Sequence, residues 1–111
     1  ETLRNRPDFL RAASAGRQSA GGFMLQARAR GDENPLVRVG YTASKKIGNA
    51  VVRNRAKRRL REVVRAVLPG AGQPGWDYVL VARPGVTVTR DFAALLDDLR
   101  AALVRMHKPR P

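Results

Sequence analysis

Arg53-Asn54-Arg55 and the cations that follow it, Lys57, Arg58, Arg59, Arg61 and Arg65, carry the most legible chemistry in this chain. Guanidinium forks grip phosphate oxygens two at a time and stack on bases, whereas an ammonium acts more as a point charge. Lys45 and Lys46 stand just ahead of them, so residues 45–65 hold 9 of the 22 lysines and arginines and only one acid, Glu62. Asn54 adds a neutral donor and acceptor suited to a base edge or a ribose hydroxyl. A merely solvated helix face alternates sign at four-residue spacing. Here 53/57, 57/61, 61/65 and 55/59 are like-charged pairs. Such a surface suits a polyanion with regularly spaced phosphates, and nucleic acid is the first partner to consider.

No other residues assemble into catalytic apparatus. The absence of cysteine excludes disulfides, zinc fingers, iron–sulfur clusters and thiol catalysis. The single histidine, His107, lies near the C-terminus and is expected to be incidental. Asp97 and Asp98 are adjacent on a helical pattern, diverge by about 100°, and read as a solvated face. Asp32 and Glu33 read as turn chemistry rather than a divalent-ion site. Gly70, Gly72 and Gly75 fit no nucleotide-binding fingerprint.

The elements that must position the cations follow from periodicity. Residues 7–15 predict a short helix, with Pro7 and Asp8 in its first turn, Gly16 at its end, and Phe9, Ala12 and Ala13 on one face. Phe23 to Arg30 alternates as a strand: Phe23, Leu25, Ala27 and Ala29 face one way, Met24, Gln26, Arg28 and Arg30 the other. Gly31-Asp32-Glu33-Asn34-Pro35 is a turn, and Leu36 to Ser44 a second strand, so the two predict an antiparallel hairpin. Asn49 can cap the basic helix and Leu68-Pro69-Gly70 can end it. Val52, Ala56, Leu60, Val63 and Val67 form the stripe that binds this helix to a sheet; Lys57, Arg61, Asn54, Arg65 and Arg58 lie opposite. Trp76 to Arg83 is nearly continuously apolar, so it predicts a central strand, anchored by Trp76 and Tyr78 and parallel to the second. Thr89 can cap a last helix whose stripe is Phe92, Leu95, Leu96, Leu99, Leu103 and Met106. Lys108-Pro109-Arg110-Pro111 is a basic tail.

The order is α-β-β-α-β-α, an α+β sandwich with a small mixed sheet. With 111 residues it is one domain, 1–111. A net charge of +13 opposes compaction and is ordinarily offset by an anionic partner. A membrane surface is the weaker choice, because the helix lacks the bulky apolar face of interfacial anchors and no apolar run approaches ~20 residues. The start lacks the apolar core of a signal peptide, and the chain opens on Glu1 rather than Met. A purely structural RNA-binding protein and a major-groove DNA reader remain open on the helix alone. The DNA reading fits less well, because the apolar stripe is committed to a sheet.

The run Lys45-Lys46-Ile47-Gly48-Asn49-Ala50-Val51-Val52-Arg53-Asn54-Arg55-Ala56-Lys57-Arg58-Arg59-Leu60-Arg61-Glu62 resembles the signature of the protein subunit of bacterial ribonuclease P. Asp8-Phe9, Phe23, Arg38-Val39-Gly40 before Ser44-Lys45-Lys46, and Val81-Ala82-Arg83-Pro84 match the same family in order and spacing. The resemblance implies a left-handed βαβ crossover, as in the second domain of ribosomal protein S5, against the usual right-handed rule. It implies an endoribonuclease whose catalytic subunit is RNA, with no catalytic residue in the protein. The protein would help remove the 5′ leader of precursor tRNA in the cytoplasm. Magnesium would be required, held mainly by RNA and not tightly by the protein alone. The implied partners are the catalytic RNA and precursor tRNA, with no membrane and no protein partner evident.

By the same resemblance Lys45, Lys46, Arg53, Asn54, Arg55, Lys57, Arg58, Arg61 and Arg65 would face the catalytic RNA. Phe9, Phe23, Arg38 and Arg83 would line a leader cleft between the first helix and the sheet. The chain departs from the family's aromatic pattern at Ala13 and Gln26. The leader would then be held more by backbone charge than by base stacking, which is worth about 1–3 kcal/mol per base.

Overall fold

The most apolar strand takes the centre of the molecule. In the computed structural model, which describes residues 1–108, helix α1 (Arg6–Ala15) leads into strands β1 (Gly16–Ser19), β2 (Phe23–Ala29) and β3 (Arg38–Thr42). A single 3-10 turn (Lys45–Ile47) precedes α2 (Ala50–Ala71), β4 (Trp76–Ala82) and α3 (Phe92–Met106). The sheet order is β1-β2-β4-β3. β4 pairs antiparallel with β2 and parallel with β3, through the α2 crossover.

The expected hairpin does not form. β4 inserts between β2 and β3, so the strands consecutive in sequence are not neighbours. Tyr78, Val79 and Leu80 are buried on alternating faces, and only a central position covers both. Arg30 holds the displaced connection in place. It donates to Asp77 (2.8 Å) and to the carbonyls of Trp76 (3.2 Å), Asn34 (2.8 Å) and Leu36 (2.6 Å).

Gly16 does not end α1 in a left-handed cap. It adopts extended backbone (φ −133°) and opens β1, a strand whose Gly-Arg-Gln-Ser sequence has no apolar alternation to announce it. Asp91, not Thr89, caps α3, accepting from the Ala94 N–H at 3.4 Å. Asn49 caps α2 as expected, accepting from Val52 N–H at 3.0 Å. Pro69 falls inside the final turn of α2 instead of ending it. The residues beyond Lys108 in the basic tail lie outside the described residues.

Helices α2 and α3 pack on one face of the sheet, over Phe23, Leu25, Ala27, Val39, Tyr78, Leu80 and Ala82. Ala56, Leu60, Val63 and Val67 supply the α2 side of this core, joined by Val64 and Leu68; Leu95, Leu99 and Leu103 supply the α3 side. Phe92, at the start of the α3 stripe, is exposed. The other face carries α1 alone, with Leu3, Phe9, Ala12, Val79 and Val81 as a small second core. A ten-residue helix cannot cover four strands, so part of this face stays open.

Candidate nucleic-acid interface

Two surfaces follow from this layering. The first is the outer side of α2. Asn54, Arg55, Arg58, Arg61 and Arg65 are exposed along it, and Lys57 is half-buried at its border. Lys45 and Lys46 stand exposed on the 3-10 turn that feeds the helix, anchored by buried Ile47. Gly48 links turn to helix with φ 145°, in the region that favours glycine. A Cβ there would also press to 3.0 Å from Val52 Cβ.

The cations of α2 divide by what they touch. Arg53 donates to the Ala43 carbonyl at 3.1 Å. Arg59 donates to the carbonyls of Thr87 (2.8 Å) and Arg90 (2.6 Å), clamping the helix to the β4–α3 connection. The guanidinium carbon of Arg61 lies over the Tyr41 ring, 5.2 Å from its centroid, a cation–π contact on a residue that stays exposed. Arg65 pairs with Glu62 at 2.8 Å, both exposed, so the pair contributes little to stability. Among the described residues, Arg55, Lys57 and Arg58 meet no carboxylate.

The second surface is the open sheet face beside α1. A cavity of about 320 Å³ is lined by Arg4, Arg6, Phe9 and Thr42, with Phe9 half-buried. A neighbouring one of about 310 Å³ is lined in part by Arg4, Asn5, Asp8 and Arg38. Arg38 grips Asp77 with two donors, each at 2.8 Å, and lies 3.6 Å from Asp8. Asp77 is fully buried beneath Arg28, Arg30 and Arg38. Burial pushes its carboxyl up, but the hydrogen bonds and charges of Arg38 and Arg30 outweigh that and hold it below the usual aspartate range. Arg83 donates to Ser19 Oγ at 2.5 Å from the end of β4.

Phe23 is not on this surface. It is fully buried on the opposite face, in the core under α2 and α3, as its alternation with Leu25 and Ala27 requires. Ala13 and Gln26 are both half-buried.

Two further expectations are corrected. His107 is not incidental: its Nε2 lies 2.6 Å from the Tyr78 hydroxyl, and its ring meets Trp76 edge-on at 4.5 Å. The Tyr78 oxygen also accepts from Gln73 N–H (2.9 Å), so the hydroxyl joins the start of β4 to both the α2–β4 loop and the end of α3. Asp98 is not a solvated acid either. It takes two donors from Arg90 (2.6 and 3.0 Å) and the Gly22 N–H (2.9 Å), pinning the β1–β2 turn to α3. Asp97 stays exposed, paired with Arg100.

Sequence reasoning missed Arg59 as an internal clamp, Arg4 and Arg6 beside Phe9, and Asp77 as the hub of three arginines. Asp77 carried a readable signal: a lone acid inside Trp-Asp-Tyr-Val-Leu-Val, with arginines at alternate positions of the neighbouring strands.

The ribonuclease P family model matches residues 1–107. The chain belongs to the ribonuclease P protein family. The ribonuclease P protein component of Ruegeria pomeroyi is 62% identical over 110 residues, covering 98% of this chain and 88% of that one. The Caulobacter vibrioides component is 58% identical over 106 residues, covering 96% and 70%. Among solved structures, the RNase P protein of Thermotoga maritima superposes with a TM-score of 0.77 at 29% identity, covering 95% of this chain and 96% of that one. The Staphylococcus aureus RNase P protein gives 0.77 at 23% identity, covering 96% and 94%, which speaks for the fold. As a ribonuclease P protein component, the chain is a subunit of a bacterial ribonucleoprotein endoribonuclease. Its partner is the ribonuclease P RNA and its setting is tRNA 5′ processing.

Among the described residues no three Asp, Glu or His side chains converge. The two buried carboxylates among the described residues, Asp77 and Asp8, are each already paired with guanidinium groups. No helix among the described residues is long and apolar enough to cross a membrane.

Proposed function

We propose that the α2 surface binds the catalytic RNA and that the open sheet face beside α1 receives the 5′ leader of precursor tRNA. The observation that carries this is the unneutralised stretch Arg55, Lys57, Arg58 on a helix whose opposite side is locked into the core. Lys45, Lys46, Arg53, Asn54, Arg61 and Arg65 extend the same surface. An ordered array of donors loses little conformational entropy on meeting phosphates, and each neutralised phosphate releases counterions.

The leader reading rests on Phe9, Arg4, Arg6 and Thr42 around one cavity, with Arg38 beside it and Arg83 across the sheet. Phe9 offers one aromatic surface, while the cations at hand outnumber it. The leader is therefore held mainly through its phosphates; Arg38 spends two of its five N–H donors on Asp77 and keeps the others for a phosphate. The magnesium dependence of the reaction belongs to the RNA, and the working compartment is the cytoplasm.

The deciding experiment adds the protein to its cognate ribonuclease P RNA at low magnesium and follows precursor-tRNA cleavage. Stimulation over RNA alone is expected, with no cleavage by protein alone. Absence of stimulation refutes the reading.

A further inference from the structure

Three arginines that tie distant elements together sit on a buried or half-buried acid: Arg30 and Arg38 on Asp77, and Arg90 on Asp98. Among the described residues, the cations without a carboxylate fall largely in three places. Two are the α2 surface with its preceding turn and the Phe9 cavity. The third is the free edge of the sheet at β1, where Arg17 and Arg105, outside both surfaces, join Arg83 of the leader-binding face.

There the guanidinium groups of two distant elements meet on one residue. Arg83, after β4, donates to Ser19 Oγ, and Arg105, near the end of α3, donates to the Ser19 carbonyl at 2.7 Å. Arg105 also reaches Gln18 Oε1 at 3.3 Å. Arg17 stands exposed on the same strand. Its register partner is Gln26, and that of Ser19 is Met24, so Arg17 and Ser19 share the open face. Neutral oxygens thus orient two of the guanidiniums and leave their charge uncompensated. Each arginine keeps further N–H donors for a ligand, since a guanidinium carries five.

The patch connects to the leader cleft through the sheet itself. Ser19, Met24, Val81 and Thr42 form one register row across all four strands. At ~4.8 Å per strand the row is about 14 Å long. Thr42, at one end, lines the Phe9 cavity with Arg4 and Arg6. Half-buried Val81 and Met24 form an apolar floor between, and the arginines close the other end.

We propose that Arg17, Arg83 and Arg105 form an RNA phosphodiester-binding site at the β1 edge. The geometry of the row makes the distal part of the leader its first ligand, a deepening of the leader-binding reading above. A segment of the catalytic RNA carries the same chemistry and is the second source.

The test uses reconstituted holoenzyme carrying Arg17→Gln with Arg105→Gln, and fluorescent precursor tRNAs with leaders of graded length. For a leader contact, affinity for long leaders falls roughly ten-fold while the shortest are unaffected. The slope of log affinity against log salt becomes shallower by about 1.4, two single-strand phosphates at ~0.7 each. If assembly with the catalytic RNA weakens instead and leader-length dependence persists, the site stands with that RNA as its ligand. If assembly and leader dependence both match wild type, the site is refuted. If wild-type holoenzyme itself shows no leader dependence and no protein–RNA affinity, the underlying reading fails first and takes the site with it. Arg17→Gln alone guards against misfolding, because Arg17 makes no side-chain hydrogen bond or ion pair among the described residues; circular dichroism checks both variants.

Discussion

The ring of Phe9 occupies the space a side chain at position 40 would need: a Cβ on Gly40 would lie 2.5 Å from both Cε1 and Cζ of that ring. The close approach seats α1 on the open face of the sheet and sets the depth of the cavity that Phe9 shares with Arg4, Arg6 and Thr42. Gly40→Ala is expected to push the ring outward at a cost of about 1–3 kcal/mol, as overpacking does. Leader affinity should fall with it in equilibrium binding, while assembly with the catalytic RNA should not change.

Charge should outweigh stacking in the same cavity. Arg4→Ala with Arg6→Ala is expected to weaken leader binding more than Phe9→Ala, whose loss is bounded by one stacking contact of about 1–3 kcal/mol. Competition binding with matched precursor tRNAs ranks the two variants. The reverse order would show that Phe9 stacking dominates.

Asp77 ties three strands together through Arg28, Arg30 and Arg38. Asp77→Asn leaves guanidinium groups without their counter-charge, and for Arg30 the side chain is only 4% exposed. A loss of about 3 kcal/mol is expected in urea denaturation. Because the folded pKa lies below the ordinary value, this contribution is fully present above the unfolded aspartate pKa and is lost as pH falls through the folded one. The Asn variant should lack that acid-dependent component.

Neighbouring arginines on α2 should separate by phenotype. Arg58 is exposed and bonded to nothing among the described residues, whereas Arg59 serves two carbonyls. Arg58→Ala should lower affinity for the catalytic RNA and flatten its salt dependence with the melting temperature unchanged. Arg59→Ala should lower stability by about 1.5–3 kcal/mol, the range for hydrogen bonds to a charged group. Calorimetry alongside RNA titration would expose an assignment made the wrong way round.

Burial keeps the pKa of His107 below the usual histidine value. A depressed base stabilises the fold above its unfolded pKa of about 6.5, and that contribution is lost as pH falls toward the folded value. Thermal melts between neutral and mildly acidic pH should therefore show a decline. His107→Gln should flatten it, since an amide does not titrate. An equally steep decline in the variant would remove His107 from the explanation.

The chain by itself determined its helices, the burial of their apolar stripes and the character of the basic surface. Val52, Ala56, Leu60, Val63 and Val67 sit at a spacing that only one rotation of a helix can bury, and Phe23, Leu25 and Ala27 alternate in a way that only one strand face can satisfy. Local periodicity is a property of consecutive residues, so it is legible without the fold. The block around Arg53-Asn54-Arg55 likewise carried the family resemblance in its own order and spacing.

The tertiary structure alone decided which strands are neighbours and what each charge meets. Nothing between Phe23 and Ser44 says that β4, arriving more than thirty residues later, will part the expected hairpin. That outcome depends on burying both faces of β4, a competition among whole strands. Nor could spacing tell Arg58 from Arg59, or place Arg17, Arg83 and Arg105 around Ser19. Partners separated by up to 87 residues are set by the packing of the sheet and helices, because a side chain's surroundings are a property of the assembled layers and not of its neighbours in the chain.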